Sequence, residues 1–182
     1  GTIHATERGR GRGALHGGGA EAINKVEWWL TFEAWRVICC SHYMADEVGD
    51  YFDAPADKID IIPNGVDTQR FDLLAGQDLS AFRAHYALPE EEIIFYVGRV
   101  VHEKGVETLV RSAPLVLAER PSAKFVIAGT GGNLADYRAL SQELGVGHKV
   151  LFTGRIPDED RDRLFRVADC AVFPSLYEPF GI

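Results

Sequence analysis

The sequence has little of what marks secreted, membrane-spanning or nucleic-acid-binding proteins. Only 3 of its 182 residues are cysteines, which is too few for a disulfide framework. No stretch of about 20 apolar residues is present that could span a bilayer. Basic residues are in the minority, because 19 lysines and arginines face 27 acids and leave a net charge of −8. This balance argues against wholesale binding to nucleic acid or anionic membranes, and the few cysteines predict a reducing, cytoplasmic setting.

The two ends of the sequence carry no start or stop signal. It begins with Gly1, without an initiator methionine or a signal peptide, and it ends with Ile182, without a capped helix. These ends predict a piece of a longer protein. At about 100–200 residues per domain, the length fits one domain or parts of two. We place the boundary in the aperiodic connector near residues 64–72, with one part over 1–64 and the other over 65–182.

The order of the predicted elements indicates an α/β protein. Six glycines between residues 9 and 19 predict a mobile loop, and an amphipathic helix is expected over 20–35. In the second half, buried strands alternate with helices of about 10–15 residues, which indicates βαβ units and a parallel sheet. The strands are predicted at 93–97, 124–128, 149–152 and 170–173, and the helices at 103–119, 134–144 and 157–167.

The turn Gly98–Gly105, after the first strand of this sheet, predicts an anion site. In an open α/β sheet, ligands gather at the carboxyl ends of the strands. Arg99 and Lys104 lie in a glycine-bounded turn that leads into a helix, where backbone N–H groups and the helix dipole favour an anion. Arginine can hold a phosphate with two parallel hydrogen bonds, whereas lysine acts as a point charge. The alternative for this segment alone is a pair of exposed surface cations.

A second turn, Gly129–Gly132, resembles the dinucleotide-binding turn but lacks its third glycine, because Leu134 occupies that position. A binding turn and a tight turn without a ligand are both compatible with these residues. The missing glycine disfavours a dehydrogenase, and no clear ribose-binding acid follows the turn. A Walker A loop is also absent from the sequence.

Glu178 and His4 are two further candidates, and each follows a predicted strand. Glu178 precedes a proline that fixes the backbone, and its carboxylate can hydrogen-bond a polyhydroxylated ligand, although a lone loop acid is more often solvated. His4 precedes the glycine-rich loop, a position that suits a site residue, although a solitary histidine is usually structural or exposed.

No metal site is predicted. Cys39, Cys40 and His42 do not form a zinc pattern, since adjacent residues of a strand point to opposite faces. The three tryptophans are expected to pack against other residues rather than to form a stacking platform for a ligand.

Taken together, three motifs in this order resemble the retaining glycosyltransferases of family 4, which have the two-domain GT-B architecture. They are Gly98-Arg99 with Lys104-Gly105, the turn Pro63-Asn64-Gly65-Val66-Asp67, and the segment from Ser175 through Glu178-Pro179-Phe180-Gly181. The opening residues TIHATE at 2–7 and the EWWL stretch at 27–30 resemble the glycogen-synthase-like branch. The resemblance covers essentially the whole sequence.

The resemblance implies two Rossmann-like domains, each a parallel sheet with flanking helices. Residues 1–64 would close the N-terminal, acceptor-side domain, and residues 65–182 would form most of the C-terminal domain that binds the nucleotide sugar. The implied reaction moves a hexosyl group, glucosyl in the glycogen-synthase-like branch, from a UDP- or ADP-sugar to a sugar or α-glucan acceptor. The family retains the anomeric configuration and uses neither a metal ion nor a cofactor.

The resemblance also implies roles for individual residues. Arg99 and Lys104 would grip the donor diphosphate and neutralise charge on the leaving phosphate. Glu178 would orient the donor sugar as the first glutamate of the family's E-x7-E motif, and His4 would lie beside the transferred sugar. Further donor contacts are expected from Gly98, Thr130, Gly131, Phe180, Gly181 and Ile182. The second glutamate of the motif falls beyond the sequence, so we expect the 182 residues alone to be inactive.

Two other functions stay open at the level of sequence. A nucleotide-sugar epimerase would share the fold but would need acid and base residues in an N-terminal half that is not part of the 182 residues. A non-catalytic nucleotide-binding domain is disfavoured by the presence of both Arg99 and Glu178. No motif specifies the donor base, the donor sugar, the acceptor or the oligomeric state.

Overall fold

The computed structural model describes residues 1–72 and 74–181, which form two compact units. The first unit consists of Gly1–Asp67 and Tyr177–Ile182, and the second consists of Thr68–Leu176. The division after Asp67 falls within the connector that the sequence predicts, whereas the residues from Tyr177 onward group with the first unit. The identification of the two parts as acceptor-side and donor-side domains stays a prediction.

Three short parallel strands form the sheet of the first unit, in the order β1-β2-β3. The elements are β1 (Thr2–Ile3), α1 (Glu7–Arg10), α2 (Gly17–Glu33), β2 (Val37–Cys39), α3 (His42–Phe52) and β3 (Ile59–Ile61). The core of this unit is built mainly from β2 and α3, and its buried residues include Val37, Cys39, Met44, Val48 and Phe52.

Helix α3 is bounded by a capping serine and a left-handed residue. The Ser41 side chain caps its N-terminus by accepting a hydrogen bond from the Met44 amide at 3.1 Å. Met44, Val48 and Phe52 recur every four residues, so they share one face, and all three are buried. The chain leaves the helix at Asp53, whose φ of 53° is left-handed.

A four-stranded parallel sheet forms the second unit, in the order β6-β5-β4-β7. Its strands are β4 (Glu92–Val97), β5 (Ala123–Ala128), β6 (Val150–Gly154) and β7 (Cys170–Ala171). Its helices are α4 (Gln69–Asp72), α5 (Ser80–Arg83), α6 (Val106–Glu119), α7 (Leu134–Glu143) and α8 (Asp158–Val167). These elements confirm the alternation of strands and helices that the sequence predicts.

The central strand β5 is buried on both faces. Phe125 and Ile127 belong to the core that includes residues of α6 and α7, whereas Val126 and Ala128 belong to the core that includes Leu164 of α8. Alternate residues of a strand point to opposite faces, so helices cover both sides of the sheet. Because β4, β5 and β6 run parallel, their carboxyl ends lie side by side at the same end of the sheet.

The prediction of a mobile loop over residues 9–19 is wrong. Helix α1 overlaps this stretch, because the Thr6 side chain caps it by accepting a hydrogen bond from the Gly9 amide at 2.9 Å. The last three of the six glycines, residues 17–19, begin helix α2. Glycine is tolerated there because the first turn of a helix makes few intrahelical hydrogen bonds through its N–H groups.

The tryptophans of the first unit do not pack as predicted. Trp28 and Trp29 are exposed on α2, and Trp35 is 93% exposed. Trp28 does stack on Phe32 of the same helix, with ring centroids 5.3 Å apart, but both rings face solvent. Among the described residues, no helix is long and apolar enough to cross a membrane.

Candidate functional site

A cavity of about 290 Å³ opens at the carboxyl-end edge of the second unit's sheet. Strands β4, β5 and β6 end there, and helix α8 begins there. The lining residues are Val97, Gly98, Arg99, Gly129, Thr130, Arg155, Ile156, Asp158 and Arg161. Three of the predicted donor-binding residues, Gly98, Arg99 and Thr130, thus lie at one site.

The Gly129–Gly132 turn lies directly against the end of β4. A Cβ atom on Gly129 would overlap the carbonyl oxygen of Gly98, and one on Gly131 would overlap that of Val100. The Val100 amide also donates to the carbonyl oxygen of Thr130 at 2.9 Å. Close approach of two backbones therefore requires glycine at both positions, with or without a ligand.

The cavity has an excess of positive charge. Arg99 is exposed and pairs with Glu103, with 2.9 Å between Nη2 and Oε1. Arg161 pairs with Asp158 and Asp162, at 2.9 Å in each case. Arg155 has no carboxylate partner among the residues that the structure describes. Three arginines but only one carboxylate residue, Asp158, therefore line the cavity, and this lining favours an anion such as a diphosphate.

Lys104 lies at the other end of the loop that carries Arg99, and it does not line the cavity. It ends a turn of 3₁₀ helix, His102–Lys104, and is half-buried. Gly105 follows with a left-handed φ of 65°, and a Cβ atom there would overlap the carbonyl oxygen of Pro174. The Leu176 amide donates to the carbonyl oxygen of Glu103 at 2.8 Å. The loop before α6 is thus packed against the segment that leads toward Glu178.

His4 and Glu178 belong to the first unit, together with Phe180 and Gly181. His4 is exposed immediately after β1, and Glu178 is exposed near the end of the described chain. Phe180 is half-buried and Gly181 is exposed, whereas the predicted contact at Ile182 lies outside the described residues. The roles of these residues stay predictions.

A buried carboxylate that the sequence interpretation missed lies close to these residues. Glu47 is 7% exposed and accepts hydrogen bonds from the hydroxyls of Tyr177 at 2.7 Å, Thr6 at 3.1 Å and Tyr43 at 3.1 Å. Burial, followed by the hydrogen bond to Glu47, raises the pKa of Tyr43. Burial likewise raises the pKa of Tyr177. The signal in the sequence is an acidic residue between Met44 and Val48, on the buried side of α3.

The described residues contain no group of three or more histidine, cysteine, aspartate or glutamate side chains that could hold a metal ion. Cys39 and Cys40 are buried thiols, and burial raises the pKa of Cys39 to about 11. A thiol with so high a pKa is a poor ligand and a poor nucleophile at neutral pH. Catalysis without a metal stays a prediction.

Comparison with known proteins matches both units to sugar-transferring enzymes. A family model described as glycosyl transferases group 1 matches residues 80–182, and one described as glycosyltransferase family 4 matches residues 1–70. An uncharacterized glycosyltransferase of Methanocaldococcus jannaschii is 40% identical over 184 residues, which cover 100% of this chain and 46% of that protein. The glycogen synthase of Mycobacterium tuberculosis H37Rv is 33% identical over 181 residues, covering 100% of this chain and 42% of the synthase.

The chain spans less than half the length of these relatives. Among solved structures, the crystal structure of Anabaena HepE in complex with UDP-glucose matches with a TM-score of 0.79 at 21% identity, covering 99% of this chain and 48% of that one. At this identity the similarity concerns the fold. The fold similarity confirms the predicted fold class: an α/β protein of the GT-B type, with Rossmann-like parallel sheets and flanking helices.

Proposed function

Because the chain belongs to the glycosyl transferases group 1 family, we propose that the full-length protein transfers a hexosyl group from a nucleoside diphosphate sugar to a carbohydrate acceptor. The resemblance to family 4 that the sequence motifs carry is confirmed by the two family models. Retention of configuration, a glucosyl donor and independence of metal ions are further parts of the proposal.

The observation that carries the proposal is the cationic cavity at the end of β4, β5 and β6. Arg99, Arg155 and Arg161 all line it, beside the backbone turns at Gly98 and Gly129. A diphosphate is a small, doubly charged group that arginines bind with parallel hydrogen bonds. A site at the carboxyl ends of parallel strands is also where nucleotides bind in α/β sheets.

The proposed donor and acceptor come from the similar proteins. HepE was solved with UDP-glucose, so UDP-glucose is the first donor to test, with ADP-glucose as the alternative. The glycogen synthase relative makes an α-glucan the first acceptor to test. A reducing, cytoplasmic location is also part of the proposal, because the adjacent Cys39 and Cys40 are free, buried thiols.

The proposed reaction breaks the bond between C1 of the hexosyl group and the oxygen of the β-phosphate. The acceptor hydroxyl oxygen bonds to C1 on the same face, and its proton passes to the departing phosphate oxygen. Arg99 and Lys104 would stabilise the charge that develops on the diphosphate, which is the type of electrostatic effect that contributes most in many enzymes. Glu178 would accept hydrogen bonds from the donor sugar, and His4 would lie beside that sugar.

The test is a transfer assay with the full-length protein. We expect UDP-glucose or ADP-glucose to be consumed only when an acceptor is present, with undiminished activity in EDTA and an α-linked product by proton NMR. Arg99→Ala should abolish diphosphate binding in a calorimetric titration. A new sugar nucleotide epimer without acceptor would instead identify an epimerase. Tight binding of nucleotide without turnover of any sugar nucleotide would identify a non-catalytic domain.

A further inference from the structure

The two residues that flank Glu178 are both attached to helix α3. The Tyr177 hydroxyl donates a hydrogen bond to Oε2 of Glu47 at 2.7 Å. On the other side, the Ser41 hydroxyl donates to the carbonyl oxygen of Pro179 at 2.6 Å. Ser41 caps α3 and Glu47 lies within it, so one rigid element holds both ends of a three-residue segment.

The attachment of Tyr177 is part of a buried network. Thr6 donates from its hydroxyl to Oε2 of Glu47 at 3.1 Å, and its backbone amide donates to the Tyr177 hydroxyl at 3.2 Å. Thr6 also caps α1 through the Gly9 amide. The same few atoms therefore connect the loop that follows His4, helix α3 and the residue before Glu178.

The network is closely packed against the backbone of Gly9. A Cβ atom on Gly9 would overlap the Tyr177 hydroxyl and would lie 2.6 Å from Oε1 of Glu47. A buried carboxylate is costly unless hydrogen bonds compensate it, and here three hydroxyls do so. The cost of leaving Glu47 without these donors favours the arrangement in which Tyr177 stays on α3.

We infer that Glu47 and Ser41 are positioning residues that fix the Glu178 carboxylate through its neighbours Tyr177 and Pro179. The inference rests on the proposed function, in which Glu178 contacts the donor sugar. An exposed carboxylate on an untethered loop would sample many orientations, whereas a catalytic or binding group must be held within about 0.5 Å of its productive position. Two hydrogen bonds to one helix restrict the backbone on both sides of Glu178.

The first arm of the test is kinetic and uses the full-length protein. Tyr177→Phe removes one hydroxyl and keeps the ring, so kcat/KM for the donor should fall about tenfold, as expected for one lost hydrogen bond. In a Glu178→Ala background the same substitution should change kcat/KM by less than about twofold, because its effect passes through Glu178. Ser41→Ala should behave like Tyr177→Phe, and Ser41→Thr should restore the rate.

Tyr43→Phe is the matched control. It removes a hydroxyl from the other carboxylate oxygen of Glu47, Oε1, and leaves both attachments of the Tyr177–Pro179 segment in place. Its kcat/KM should stay within about twofold of the wild-type value. Equal losses in Tyr43→Phe and Tyr177→Phe would overturn the inference, as would full additivity of Tyr177→Phe with Glu178→Ala.

The second arm measures amide hydrogen exchange and does not depend on any activity. Tyr177→Phe and Ser41→Ala should speed exchange at Glu178, Phe180 and Gly181 about tenfold, because each removes a hydrogen bond that opposes local opening. Exchange in β4 and β5 should stay unchanged. Unaltered exchange at these three amides would overturn the positioning role. Absence of sugar transfer by the wild-type protein, with exchange altered as expected, would instead overturn the proposed function alone.

Discussion

Arg99 and Lys104 occupy one loop but differ in their surroundings. Arg99 lines the cavity and its guanidinium pairs with Glu103, so a diphosphate bound by this arginine would have to compete with that carboxylate. Lys104 is half-buried and precedes the N-terminal end of α6, where the helix dipole adds to the positive charge. The arginine is thus suited to capture the donor, and the lysine to stabilise charge that develops during the reaction.

Lys104→Ala should lower kcat of the full-length protein about 10²–10³-fold, as loss of one preorganised charge-stabilising donor does. The KM for the donor should change much less, because the interaction strengthens only as the leaving phosphate gains charge. Steady-state kinetics with the preferred donor measure both constants. Lys124→Ala is the control, since Lys124 binds the carbonyl oxygen of His148, remote from the cavity-lining residues. Unchanged turnover in Lys104→Ala would make this residue an ordinary surface cation.

At the scale of elements, the glycines of the turn after β5 differ in whether the structure leaves space for a side chain. Gly129 combines a φ of 137° with a backbone contact that excludes a side chain, whereas a Cβ atom on Gly132 would meet no atom within 4 Å. Gly129→Ala should therefore lower the free energy of unfolding of the second unit by about 2–4 kcal/mol, and Gly132→Ala by less than about 1 kcal/mol. Urea unfolding followed by far-ultraviolet circular dichroism measures the free energy of unfolding of both variants. Equal effects would contradict the close packing of this turn against β4.

The start of β6 and the loop before β4 are joined by a partly buried ion pair. Lys149 lies 2.7 Å from Oε1 of Glu91, which is 8% exposed and also accepts a hydrogen bond from the Leu88 amide at 3.0 Å. Burial alone would raise the pKa of the Glu91 carboxyl. The ion pair and the Leu88 amide outweigh it, so the pKa lies below its ordinary value of 4.5.

A carboxyl whose folded-state pKa is lowered stabilises the fold above its unfolded pKa, and the contribution disappears as the pH falls through the folded value. Glu91→Gln should therefore lower the free energy of unfolding at pH 7 by about 1–3 kcal/mol. The difference from wild type should shrink as the pH falls below 4.5. Urea titrations at several pH values measure it, with the exposed neighbour Glu90→Gln as the control. A difference that is constant with pH would exclude the charge of Glu91 as its source.

At the scale of the whole molecule, the parts predictable from sequence are those fixed by local patterns. The strand and helix alternation of the second unit follows from periodicity, and the Arg99 turn follows from glycine and charge spacing. The helices at the two ends of the glycine-rich stretch are not predictable from composition: α1 has a side-chain cap from Thr6, whereas α2 begins at three glycines without one. The buried network of Glu47 is not predictable from local patterns, because two of its three hydroxyl partners, Thr6 and Tyr177, lie 41 and 130 residues away in the chain.

The diphosphate cavity and the transfer reaction make different demands on the molecule. Every residue that lines the cavity in this structure belongs to the second unit, so the 182-residue chain supplies this cationic lining. The paired-glutamate motif that the sequence is predicted to share would, by contrast, place its second glutamate eight positions after Glu178, and position 186 is not among these residues. We therefore expect the chain to bind UDP or ADP but not to transfer sugar, and we expect the full-length protein to do both.

Nucleotide binding is tested by calorimetric titration with UDP and with ADP, for both the 182-residue chain and the full-length protein. Arg99→Ala should lose binding in both proteins. The nucleotide with the higher affinity identifies the donor class. A parallel assay with the matching glucose donor and an α-glucan tests sugar transfer. Transfer by the 182-residue chain would show that the second glutamate is dispensable. Equal binding by wild type and Arg99→Ala would show that the diphosphate does not bind in the cavity at the end of β4, because the arginine contributes a full charge there.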